Sequence, residues 1–84
     1  MADFPIFLEV ISPEGALASV NVASVELPGT AGRFVVLKDH APLLTSLCSG
    51  DIVYRTGADS LERIRISSGF ARVCSNSVTV CVEM

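Results

Sequence analysis

Apolar positions along the chain recur with a period of two. Phe4, Ile6, Leu8 and Val10 fall on one side of an extended segment, and Ser12-Pro13-Glu14-Gly15 ends it with turn-forming residues. Leu17 to Leu27 is rich in valine and small residues, and its last part alternates Ser24 and Glu26 with Val25 and Leu27, a strand pattern. Pro28 to Gly32 reads as a loop, Phe34 to Leu37 as a short apolar strand, Lys38 to Pro42 as a second loop, and Leu43 to Leu47 as the next strand. Ser49-Gly50 predicts a tight turn and Asp51 to Thr56 a strand, closed by Gly57-Ala58-Asp59. In Leu61 to Ser67, Ile64 and Ile66 point one way while Arg63 and Arg65 point the other. Ser68-Gly69 predicts another turn, and Phe70 to Cys74 with Val78 to Val82 a last hairpin around Ser75-Asn76-Ser77.

This makes about eight to ten short strands with turns every eight to twelve residues, the spacing of an all-β antiparallel sandwich or barrel. Gly29, Gly32, Gly50, Gly57 and Gly69 all fall at predicted corners. No segment carries a capped stripe of helical period. The antiparallel β-sandwich is the expected fold class.

Composition narrows what such a fold can do. The chain has 84 residues, half of them hydrophobic and 18% charged. That is too apolar for disorder and suits either a dense core or a face covered by a partner. Six basic residues stand against nine acidic ones, with one tyrosine and no tryptophan. A basic stripe with stacking aromatics is missing, so nucleic acid is not the expected partner. Apolar runs fall far short of the ~20 residues of a membrane-spanning helix, and the opening residues lack the basic and apolar regions of a signal peptide. No direct insertion into a membrane is expected.

Candidate chemistry is sparse. His40 is the single histidine. Its neighbour Asp39 is poorly placed to orient the ring, and no serine lies in a nucleophile-elbow motif, so a hydrolase triad is not expected. Cys48, Cys74 and Cys81 lack metal-ligand spacing and are read as reduced strand residues, although a Cys74–Cys81 cross-strand pair is conceivable. Acidic residues are scattered singly, so neither a metal site nor a bound cofactor is expected. Gly29-Thr30-Ala31-Gly32 lacks the lysine and helix of a phosphate loop. Arg63 and Arg65 could bind an anion or a partner acid, or simply form a solvated strand face. Pro42, Leu43 and Leu44 start either a buried strand or a hydrophobic contact.

The run from Pro28 to Thr45, with His40-Ala41-Pro42-Leu43-Leu44-Thr45 at its end, resembles the signature of the epsilon subunit of F-type ATP synthases. Leu8 to Gly15 resembles that family's opening strand and turn, Gly50 begins the next strand as it does there, and Ser68 to Val73 with Asn76 to Val80 resembles its closing hairpin. The resemblance implies a non-catalytic β-sandwich in the central stalk. Such a sandwich packs on the gamma subunit, touches the c-ring and turns with them, coupling proton- or sodium-driven rotation to ATP synthesis. It implies a peripheral place at the cytoplasmic face of a bacterial membrane.

The family pattern matches Arg33, His40, Ala41 and Pro42 to a c-ring-facing edge, and Ser12 and Thr45 to a gamma-facing side. Arg33 departs from the acid that relatives often carry there, so the facing c-ring loop should differ in charge. Ser68 replaces one of the glycines usual before Gly69. Relatives continue into a C-terminal helical hairpin, and residues 1–84 are read as the sandwich domain without it, either as a natural short form or as a truncated chain; for a natural short form neither ATP binding nor inhibition by such helices is expected. The alternative is a free-standing β-sandwich adaptor for some other protein.

Overall fold

A computed structural model describes residues 4–57 and 60–84. The predicted corner at Gly57-Ala58-Asp59 therefore lies partly outside the described residues. Among the described residues nine strands are seen: β1 (Ile6–Ser12), β2 (Gly15–Val22), β3 (Ser24–Gly29), β4 (Gly32–Val36), β5 (Leu43–Leu47), β6 (Gly50–Gly57), β7 (Ser60–Ile66), β8 (Ser68–Cys74) and β9 (Ser77–Glu83).

The strands form a continuous ribbon that curls over itself into two layers. One layer runs in the order β2-β1-β9-β8-β5, the other β4-β3-β6-β7, and a single pair, Gly29 with Leu47, joins them. Strand β2 closes the far side by approaching β6. The fold is the expected sandwich with one correction. It is not antiparallel throughout, because β1 and β9 pair in parallel, Phe7 opposite Ser77 through Ile11 opposite Cys81. Parallel neighbours cannot be joined by a tight turn, and here the whole intervening chain makes the connection.

Period-two alternation decides which side chains meet between the layers. Ile6, Leu8 and Val10 of β1 are fully buried, as are Val78 and Val80 of β9 and Ala71 of β8, and the opposing layer adds Val25, Leu27 and Ile52. Such a core is dry and aliphatic. The seam is held by main-chain hydrogen bonds where the chain changes layer: the Ala23 N–H donates to Arg55 O at 2.8 Å, Cys48 N–H to Pro28 O at 2.9 Å and Ser67 N–H to Glu83 O at 2.8 Å.

Several turns are two residues long. Gly29 pairs with Gly32 around Thr30-Ala31, and Gly32 has φ +131°, which a side chain rarely tolerates. Cys74 pairs with Ser77 around Ser75-Asn76, whose φ values of 51° and 63° are both left-handed. That is the primed turn that matches strand twist. The expected turn at Ser68-Gly69 is a second correction. The chain bends at Ser67 alone, and Gly69 lies inside β8 opposite Val82. A glycine there serves close backbone approach rather than a corner.

Candidate functional site

The strand directions place the candidate residues at two different ends of the sandwich. One end carries the start of β1, the β8–β9 turn and the loop from Leu37 to Pro42 between β4 and β5. The other carries the β1–β2, β3–β4 and β5–β6 connections. His40, Ala41 and Pro42 sit at the first end. Arg33 sits at the second, beside the β3–β4 turn. The family pattern matches these four to one edge, and in the structure roughly 13 Å of strand separates Arg33 from the loop that follows β4.

The loop is ordered by its own hydrogen bonds and by one long-range contact. The His40 N–H donates to Leu37 O at 3.1 Å, and His40 Nδ1 lies 2.8 Å from Ala41 O. Asp39 has φ 64°, a left-handed conformation. Its N–H donates to Asn76 Oδ1 at 2.6 Å, and Asn76 Nδ2 donates to Asp39 Oδ1 at 3.1 Å. Sequence reading saw Asn76 only as a turn residue. Its asparagine-in-a-turn signal was legible, but its partner 37 positions away was not.

Arg33 does not project freely. Its Nε donates to Glu26 Oε2 at 2.9 Å, and its Nη2 donates to Asp51 O at 2.8 Å. It belongs to the outer face of the β4-β3-β6-β7 layer, which by register also carries Arg55, Arg63 and Arg65. Four of the six basic residues thus share one face with Glu26 and Asp51. Arg63 and Arg65 reach the Asp51 carboxylate at 3.7 and 3.6 Å. These pairs are well exposed and add little stability, so the face remains a solvated, positive surface.

Ser12 and Thr45 fall on inward-facing positions of their strands. Ser12 is 7% exposed, and its hydroxyl donates to Gly15 O at 3.1 Å across the turn. Thr45 is half-buried, and its hydroxyl donates to Ser46 O at 3.3 Å. The outer face of the five-stranded layer offers more to a partner. Phe70 is 52% exposed and Leu44 71% exposed. A shallow apolar groove of about 640 Å³ runs beside Ile11, Pro13, Phe70 and Cys81. The cysteines are free thiols, and Cys74 and Cys81 sit opposite Ser77 and Phe70 rather than each other. Among the described residues no group of three or more His, Cys, Asp or Glu is placed to hold a metal ion.

Tyr54, half-buried opposite Glu62, has its phenol pushed above the usual value of 10.0, first by burial and then by the Glu62 carboxylate. The neutral phenol is the form the fold favours. Its contribution to stability is complete below about pH 10, where the unfolded chain begins to ionise, and is lost as pH rises through the higher folded value. As Tyr54 is the single tyrosine, a near-ultraviolet titration reads it directly. The phenolate is expected to form later in the folded protein than after denaturation, and Glu62→Gln is expected to bring the midpoint part of the way back. Coincident folded and denatured titrations would refute this placement.

Comparison with known proteins adds an independent finding. A family model described as the ATP synthase delta/epsilon chain, β-sandwich domain, matches residues 5–84. The chain is 40% identical over 76 residues to the ATP synthase epsilon chain of Desulfosudis oleivorans, covering 90% of this chain and 57% of that one. It is 35% identical over 75 residues to that of Rhizobium meliloti, covering 89% and 56%. The chain thus spans little more than half the length of these relatives. In fold it is similar to a chain of the Euglena gracilis mitochondrial ATP synthase structure comprising OSCP, F1 and c-ring, with a TM-score of 0.89 at 20% identity over 98% of this chain and 52% of that one. A chain of the Tetrahymena thermophila mitochondrial ATP synthase central stalk and c-ring gives 0.79 at 14% identity over 95% and 64%.

Proposed function

This chain belongs to the β-sandwich family of ATP synthase delta and epsilon chains, and we propose that it acts as a non-catalytic rotor part that joins a gamma subunit to a c-ring. In this reading residues 1–84 work as one sandwich domain, peripheral to the membrane and at its cytoplasmic face in a bacterium. The match over residues 5–84 carries the reading. The geometry supports it, because a bridge needs separate contact surfaces on a stiff body. The dry two-layer core supplies stiffness. The His40-Ala41-Pro42 end and the Arg33 end supply two separated surfaces, and the exposed Leu44 and Phe70 face supplies apolar area of the kind interfaces bury. Ser12 and Thr45, turned inward, would act on the gamma side by shaping the strands rather than by touching the partner.

The test is retention of the protein on an assembly of gamma subunit and c-ring. Unaltered protein is expected to be retained. Replacing His40-Ala41-Pro42 by Gly-Ser-Gly is expected to lower affinity about tenfold or more, as loss of a contact centre does, without changing thermal unfolding of the core. A photo-crosslinking residue at position 33 and another at position 40 are expected to capture different subunits. Failure of the unaltered protein to bind would sink the rotor reading in favour of the free-standing adaptor.

A further inference from the structure

We propose that Asn76 is a positioning residue for the His40-Ala41-Pro42 contact loop, acting through a reciprocal clasp with Asp39; the inference rests on the rotor reading above. The clasp uses both ends of one amide group. Asn76 Oδ1 accepts the Asp39 main-chain N–H at 2.6 Å, and Asn76 Nδ2 donates to the Asp39 carboxylate at 3.1 Å. Only a side chain with an acceptor and a donor side by side can do both. An aspartate would present a second carboxylate to Asp39, and a serine is too short to span the pair.

The hairpin itself does not require this amide. The β8–β9 turn is already closed by the Cys74–Ser77 pair and by two left-handed residues. The Asn76 carbonyl is used separately, accepting the Phe7 N–H at 2.9 Å where β1 begins. The side chain is therefore spent on the neighbouring loop. It fixes Asp39, the residue immediately before His40, to a hairpin anchored in the core by Val73 and Val78. A loop so held meets its partner without first losing conformational freedom, which raises affinity by preorganisation.

Glycine tests this cleanly, since Asn76 and Asp39 both have φ near 63° and glycine adopts that conformation without steric cost. In Asn76→Gly the Asp39 amide is expected to exchange with solvent at least about tenfold faster, while the amides of Ala71 and Val80 keep their protection. Affinity for the gamma and c-ring assembly is expected to fall about fivefold to tenfold, as loss of two hydrogen bonds predicts. Asp39→Gly keeps the main-chain N–H and removes only the carboxylate half of the clasp, so it should lose less, and the double variant no more than Asn76→Gly alone. Unchanged exchange at Asp39 in Asn76→Gly overturns the inference, as does full affinity with a loosened loop. Those outcomes occur with the unaltered protein still binding. If the unaltered protein does not bind, the rotor reading and this inference fall together.

Discussion

Gly69→Ala is expected to cost about 3 kcal/mol or more of folding stability, a large share of the roughly 5–15 kcal/mol that holds a domain together. The reason is a close approach of two backbones. A Cβ on Gly69 would press into the carbonyl oxygen of Cys81 and lie 3.1 Å from Val82 Cα. Both atoms belong to the main chain of β9, so no side-chain rotation relieves the contact, and β8 would have to part from β9. That pairing runs the length of both strands, from Ser68–Glu83 to Cys74–Ser77, and β9 also carries β1. Gly57→Ala is the control, because an added Cβ there finds its nearest neighbours at 3.7 and 3.8 Å, ordinary contact distances. Urea unfolding of the two variants should differ clearly. Equal midpoints would mean that β8 does not lie against β9 as described.

Leu8→Ala should be comparably severe. Leu8 is fully buried at the middle of β1, between β2 and β9, and the aliphatic core around it is dry. Truncation there removes transfer free energy and leaves a cavity, together about 2–5 kcal/mol. For a domain of this size that lowers the melting temperature by roughly 10–30 °C. Leu44→Ala is the contrast, at 71% exposure on the outer face of the other end of the same layer. It should leave melting within a few degrees. A small shift in Leu8→Ala, measured by circular dichroism, would contradict the core described here.

These two variants mark how far the sequence could be read. Leu8 belongs to the alternation Ile6, Leu8, Val10, and its burial was visible in that pattern. A strand's inward face follows from its own period and needs no knowledge of its neighbour. The same holds for Ile64 and Ile66 against Arg63 and Arg65. Gly69 was misplaced at a corner because glycine signals both positive φ and close backbone approach. Which one applies depends on what lies across the sheet, here Cys81 and Val82.

The candidate site divides in the same way. His40-Ala41-Pro42 stood out by motif, and the family match agrees with the resemblance that the motif carried. The separation of that loop from Arg33 was hidden, because seven positions along the chain say nothing about direction until β4 is known to run from one end to the other. Arg33, which the resemblance matches to a partner-facing edge, is tied within its own face to Glu26 and Asp51, and nothing in the sequence announces those pairings. Asn76 read as turn chemistry alone.

By itself, then, the sequence determined the strand-rich class, the inward faces and the family, since these rest on local period and on a contiguous motif. Only the tertiary structure decided the parallel β1–β9 pair, the role of Gly69, the two separated ends and the Asn76–Asp39 clasp. Each of these depends on which distant segment is brought opposite, and that is set by how two curled layers close over one core rather than by any stretch of residues alone.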